Sequence, residues 1–379
     1  MKFTISRNEL NEAIQQVSKA VASRTTIPIL SGIKLDASFS GITLTASDTD
    51  ISIQSFIPLE TPSKTIATVV KPGSVVLTAK FFVEIVKKLP HEEVHIEVGE
   101  RFQTLITSGT TEIQLVGLDP EEFPVLPTVQ EDQVVSVSGD LLRDLIRQTV
   151  FAVTTNESTP ILTGVLWSLS DGVYKFVATD RHRLASRQAN VDSGDLRFSN
   201  IVISGKTLNE LAKIVPDQNV MVDIVVAENQ VLFKLGNVLF YSRMLDGTYP
   251  DTSKIIPQSF KTELVLNTKQ LSDAIDRAYL LSREEKTNIV RLMTLEGGGI
   301  EISSSSSELG KVTEQLNVVS MNGEPLKIAF NSKYMLDVLK IIDSEELFIG
   351  FNGSMSPIII RPNDHSHSLH LILPYRTTN

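Results

Sequence analysis

Short stretches of alternating apolar and polar residues dominate the chain, and six times they give way to apolar residues at helical spacing. Phe3-Thr4-Ile5 alternates like a strand. Leu10, Ala13, Ile14, Val17, Ala20 and Val21 then fall on one face of a helix over 6–20. Strands follow at 33–37, 42–46 and 51–57. From Ala67 the plan runs again: a strand, a helix over 79–89 with Phe82, Ile85, Val86 and Leu89 inward, and strands at 94–98, 102–107 and 111–116. The same order returns after Val134, with helices over 139–150 and 205–215. A fainter third round places helices over 268–281 and 332–342.

The residues repeat as well as the pattern. Pro28-Ile29-Leu30-Ser31-Gly32 returns 132 positions later as Pro160-Ile161-Leu162-Thr163-Gly164, and Ala46-Ser47-Asp48 as Ala178-Thr179-Asp180. Phe123-Pro124 returns 126 positions later as Tyr249-Pro250. Ala79 to Glu84 is matched by Gly205 to Glu210 and by Ser332 to Asp337. Internal repeats fix the architecture: three copies, over 1–128, 129–256 and 257–379, each of two βαβββ-like halves. Short turns imply antiparallel sheets, and one apolar stripe per helix implies that each helix covers one sheet face. The fold class is α+β, with six helices and about two dozen strands. The serine run 303–307 reads as a polar strand edge or a turn. After the repeated aspartate the copies part, Thr49-Asp50-Ile51-Ser52 against Arg181-His182-Arg183-Leu184, which marks the second copy for a special role.

Composition is that of a globular domain protein, 41% apolar and 21% charged. No apolar run reaches the roughly 18 residues of a membrane helix, and MKFTISRNEL lacks a signal pattern, so a cytoplasmic location is expected. With no cysteine there is no disulfide or thiolate metal site, and no cofactor is expected. The net charge of −10 argues against a nucleic-acid coat. The predicted helices nonetheless hold thirteen cations against nine anions, and Lys80, Lys206 and Lys333 share one repeat position. Two readings stay open: ordinary Lys- and Glu-rich helix faces, or one mildly basic surface made by all six. If helices about 10 Å apart line a closed ring, six leave an opening of only about 9 Å, whereas twelve leave about 28 Å. A duplex, with grooves about 8 Å deep, passes only the larger opening. A closed two-fold dimer would encircle DNA where one chain cannot.

Several stretches invite chemistry. Gly205-Lys206-Thr207 resembles the end of a phosphate loop, but Asn200 stands where that motif needs glycine. His365, His367 and His370 alternate near a predicted hairpin and read as solvated before they read as metal ligands. Asp180 and His182, on alternate strand positions, would face one side as an acid–base pair, yet no nucleophile accompanies them. Asp48 and Asp50, with Asp180, would suit a metal-dependent nuclease; the plainer reading is polar residues at a strand end. A repeat scaffold that binds only proteins is the other alternative. Trp167 reads as core.

The opening MKFTI, Arg24 to Leu30, Ala178-Thr179-Asp180-Arg181-His182-Arg183-Leu184-Ala185, Asp246 to Asp251, and Leu373-Pro374-Tyr375-Arg376 closely resemble the bacterial DNA polymerase III beta subunit family over the whole chain. The resemblance implies three tandem DNA-clamp domains, with helices lining a ring interior and antiparallel sheets outside. It implies a non-catalytic processivity factor, a head-to-tail homodimer encircling double-stranded DNA. The partners implied are the replicative polymerase catalytic subunit, the clamp loader and repair proteins carrying a clamp-binding peptide. Matching positions place a peptide pocket at Leu162, Thr179, Arg181, His182, Arg183, Leu184, Pro250, Ile255, Leu371, Leu373, Pro374, Tyr375 and Arg376, with Met355 and Pro357 at its mouth. Many relatives carry a small residue at Arg181. His182, Arg183 and Arg376 would orient the peptide. Arg24, Asn156 and Lys206 match DNA-touching positions; Lys80, Arg147, Lys213 and Lys333 join them from the helix faces. Ile113, Leu115, Leu280 and Leu281 fall at the implied subunit interface.

Overall fold

The computed structural model describes all residues except 23, 217–219, 285–286, 365–366 and 377–379. Among the described residues there are six α-helices: α1 (Arg7–Val17), α2 (Ala79–Lys88), α3 (Gly139–Arg147), α4 (Gly205–Ile214), α5 (Thr268–Ser282) and α6 (Ser332–Leu339). Side chains start four of them, Ser138 accepting the Leu141 N–H at the head of α3. Ser6 accepts the Glu9 N–H, Asn267 the Gln270 N–H, and Asn331 the N–H groups of Lys333 and Tyr334. Each such cap is worth about 1 kcal/mol. α3 stops three residues short of the expected end. The Thr149 hydroxyl donates to the Leu145 carbonyl at 2.7 Å, and the chain tightens into a 3₁₀ turn, Val150–Ala152.

The chain forms two compact units. One comprises residues 1–142 and 209–244, the other 143–208 and 245–379. In the first, a five-stranded sheet runs in the order Thr111–Val116, Gln103–Ser108, Glu93–Val98, Lys2–Ser6, Ala67–Lys71. An eight-stranded sheet runs Val134–Ser138, Met221–Val226, Gln230–Leu235, Val238–Arg243, Ile51–Pro58, Gly41–Ser47, Gly32–Ser38, Gly73–Thr78. α1 packs beside α2, and Phe3, Ile5, Leu10, Ile14, Phe82 and Val86 are buried.

In the second unit a nine-stranded sheet runs Phe198–Ser204, Gly164–Ser170, Val173–Thr179, Arg183–Asn190, Ser368–Ile372, Ile358–Pro362, Glu346–Phe351, Thr262–Asn267, Ser320–Gly323. A four-stranded sheet runs Gly310–Leu316, Gly299–Ser306, Ile289–Leu295, Lys327–Asn331. All the strand pairs are antiparallel, as short turns require. α5 and α6 bury Leu271, Ile275, Met335 and Leu339 against Leu292, Ile302, Ile349 and Ile360. Trp167 is fully buried and stacks on Phe176, ring centroids 4.1 Å apart.

Each long sheet is a joint between two repeats. Val238–Arg243 of the second copy pairs with Ile51–Pro58 of the first. Ser368–Ile372 of the third pairs with Arg183–Asn190 of the second. Each joint matches the last strand of one copy's second half to the last of the three consecutive strands in another copy's first half. The serine run departs from expectation. Ser303 to Ser306 end an inner strand, paired along its length with Gly310–Leu316, and Ser304 is buried. The backbone meets the ladder there, while the buried Ser304 hydroxyl has no hydrogen-bond partner among the described residues.

Candidate functional site

The divergent tetrapeptide of the second copy is a turn, not a strand. Strand Val173–Thr179 ends, and Asp180 to His182 lead into Arg183–Asn190. The Asp180 carboxylate accepts the N–H groups of His182 at 2.9 Å and Arg183 at 3.0 Å. Asp180 and His182 therefore do not share a strand face as their spacing implied; an aspartate side chain that takes two backbone amides makes a turn. The Thr179 hydroxyl accepts the Arg181 N–H and donates to the Arg183 carbonyl at 2.6 Å. From below, the Tyr249 hydroxyl accepts the Thr179 N–H at 3.0 Å, and burial raises that phenol above its ordinary range. Arg181 sits at φ +75°, in the left-handed region. In the first copy Asp48 does the same work for Asp50 and Ile51, with Thr49 at φ +89°. Of the three aspartates named for a nuclease, Asp48 and Asp180 are committed to backbone amides.

Arg183 is held by the protein itself. Its guanidinium donates to Asp180 at 3.0 Å, to Asp337 of α6 at 2.6 Å and to the Phe151 carbonyl at 2.6 Å. It also lies over the rings of Tyr334 and Phe151. With donors spent on three partners, it fastens the turn to α6.

Strand alternation sends Leu184 to the other sheet face. There Leu184 pairs with Leu371 and packs with Val177 and Ile359, forming a buried apolar floor. Leu162 packs against Tyr249 next to it, with Leu166 touching both groups. The tail beyond Ile372 is held to this edge: the Leu373 N–H donates to the His182 carbonyl at 2.8 Å and the Tyr375 N–H to the Ala329 carbonyl at 2.7 Å. Leu373, Tyr375 and Arg376 are exposed and Pro374 half-buried. Pro250, Ile255 and Met355 are exposed and Pro357 half-buried on flanking segments. Thus Thr179, Leu162, Leu184 and Leu371 are buried, while the other assigned positions stay wholly or partly open to solvent.

Arg181 and His182 also line a polar cleft of about 450 Å³ with Asn156, Lys333 and Tyr334. The sequence assigned the first pair to peptide and Asn156 and Lys333 to DNA; the structure puts all four around one cleft. Tyr334 and Asp337 escaped the sequence reading. Their link to Arg183 spans about 150 positions, and no local pattern signals it.

Comparison with known proteins decides the family. Three models of the DNA polymerase III beta subunit match in series: the N-terminal domain at 1–127, the central domain at 136–251 and the C-terminal domain at 253–376. The beta sliding clamp of Bacillus subtilis is 53% identical over 378 residues, all of both chains. That of Staphylococcus epidermidis is 45% identical, again over all of both. The chain belongs to the DNA polymerase III beta subunit family. A crystal structure of the sliding clamp from Bacillus subtilis superposes with a TM-score of 0.97 at 52% identity, covering both chains fully. The beta subunit from Streptococcus pyogenes gives 0.94 at 35%, also over the full length of both. The expected α+β, three-domain clamp fold is the fold found.

The remaining positions divide by what holds them. Lys80, Lys206 and Lys333 are each the second residue of a helix, exposed, and without an ion pair among the described residues. Lys213 is paired with Glu210 at 2.8 Å. Arg147 is clasped by Asp343 at 2.5 Å and Asp144 at 3.0 Å, which holds the Asp343 carboxyl below its ordinary range. Arg24 and Asn156 are exposed in loops, and the Asn156 side chain accepts the Ser158 N–H. Ile113 and Leu115 lie half-buried on the edge strand Thr111–Val116; on α5, Leu280 is exposed and Leu281 half-buried. His370, expected in solvent, is fully buried on the helix side of its sheet, 5.8 Å from the Phe151 ring; burial drives its pKa down to about 3. Its alternation with His367 put it inward, and Ile360 and Ala185 are its strand neighbours. His365 lies outside the described residues.

Proposed function

We propose that two copies of this chain close head to tail around duplex DNA and tether a replicative polymerase without chemistry of their own. Domains 1–128, 129–256 and 257–379 would each supply two helices to the inner surface. The observation that carries the reading is the repeated sheet joint. The last strand of a second half pairs with the last of the three strands in a first half in both long sheets. One strand of each kind is left at a sheet edge, Thr111–Val116 and Gly310–Leu316. An open edge is a template for pairing, and a heterologous contact that closes gives a ring. The partner's Gly310–Leu316 edge, with Leu280 and Leu281 on α5, would meet Ile113 and Leu115. Lys80, Lys206 and Lys333 would face DNA, with Arg24 and Asn156 beside them and the paired Arg147 and Lys213 contributing less. Acidic surface elsewhere repels phosphate, so enclosure would hold the DNA more firmly than the few lysine contacts do.

The floor of Leu162, Leu184 and Leu371, with its rim, would take the short peptide of a polymerase, a loader or a repair protein. Two or three buried apolar side chains contribute about 1.5–3 kcal/mol each. Ordering the peptide offsets part of that, so hydrogen bonds at the rim would have to add to it for the expected near-micromolar affinity, about −8 kcal/mol. Such binding exchanges readily, as a platform for many partners in the cytoplasm requires. Deleting residues 373–379 tests the groove: polymerase stimulation should vanish while the dimer persists in sedimentation. Undiminished stimulation would refute it.

A further inference from the structure

The unit formed by residues 1–142 and 209–244 holds a cavity of about 490 Å³ at the position that the repeat makes equivalent to the proposed peptide groove. Leu30 stands where Leu162 does, Ser47 where Thr179 does, and Pro124 where Pro250 does. The strand pairing extends the correspondence: Tyr241 takes the place of Leu371 and Arg243 that of Leu373. The turn at the mouth is the same aspartate-capped turn, with Thr49 as its left-handed residue. The chemistry differs. Leu184 is replaced by Ser52 and His182 by Asp50, so the floor is more polar. Ile27 and Val125 keep an exposed apolar lip. Arg243 is exposed, and neither it nor Asp50 makes an ion pair among the described residues.

We infer that this cavity is a second peptide-binding site, built for an extended segment in which an apolar side chain is followed by a carboxylate. The apolar side chain would lie on Leu30, Ile27 and Val125. The carboxylate would meet Arg243, while Asp50 accepts a backbone N–H of the ligand. The inference rests on the proposed peptide role of the groove at Leu184 and Leu371. The more polar floor makes the second site weaker and selects acidic segments, since less apolar surface is buried and one cation waits at the rim.

Because the chain has no cysteine, single cysteines report on each site separately. Val125→Cys and Met355→Cys would each carry an environment-sensitive dye in the full chain. The probe is acetyl-Gly-Leu-Glu-Phe-Gly-amide. A saturable response at position 125, weakened about tenfold by Arg243→Glu and largely kept by Arg243→Lys, is the expected result; tenfold is the worth of one charge-assisted hydrogen bond. A response at position 355 with none at 125 would overturn the second site and leave the first intact. A response at 125 that Arg243→Glu leaves unchanged would also overturn it. Silence at position 125 would overturn the second site whatever position 355 reports, the first groove being tested by deletion of residues 373–379.

Discussion

Arg181 is a non-glycine residue at φ +75°, in a conformation that L side chains adopt at a cost of about 1–2 kcal/mol. Arg181→Gly should raise stability, by about 0.5–1 kcal/mol after the added freedom of the unfolded chain, as read from urea midpoints. A loss would show that the arginine side chain more than repays its backbone. His370 acts in the opposite direction. Burial lowers its pKa to about 3, against about 6.5 in an unfolded chain. Below 6.5 the unfolded chain takes a proton that the native state refuses, so stability falls as pH drops from 6.5 toward 3. Between pH 7 and pH 5 the native chain should lose about 2 kcal/mol more than a His370→Leu variant. Equal losses in both chains would mean that water reaches the imidazole.

Most elements were legible because the sequence states the plan three times. Strands at 33–37, 42–46 and 51–57 are found as Gly32–Ser38, Gly41–Ser47 and Ile51–Pro58. The helix over 79–89 is Ala79–Lys88, since a period of 3.6 is hard to mistake over three turns. What escaped the pattern depended on individual hydrogen bonds, some local and some distant in sequence. The Asp180 turn looks extended until its backbone amides are counted. Arg183 reads as a free cation until Asp337 and Tyr334 arrive from α6. Of the candidate site, the positions of the apolar floor came from the family resemblance, whereas the fate of its cations was not legible. The same sorting bears on the helices. Lys80, Lys206 and Lys333 hold one repeat position with no acidic partner among the described residues. Replacing all three by alanine should leave stability nearly unchanged, because each is exposed. It should flatten the logarithmic salt dependence of binding to a short duplex by about 0.9 per lysine that neutralises a phosphate. An unaltered slope would move the DNA-facing surface elsewhere.

At the scale of the molecule, the account turns on two unpaired edge strands, Thr111–Val116 and Gly310–Leu316, each the missing half of a joint that the chain makes twice within itself. Closing both edges with a second copy gives an object held on DNA by topology. Leu280 is exposed on α5, so Leu280→Asp should spare the fold of the chain while weakening that closure. The most direct measurement is retention on DNA in high salt after loading onto a nicked circle, followed by cutting the circle once. The account predicts that the chain stays on the intact circle, leaves within the time of sliding once the circle is cut, and is never retained as Leu280→Asp. Equal loss from intact and cut circles would contradict it, and would make this an ordinary DNA-binding protein.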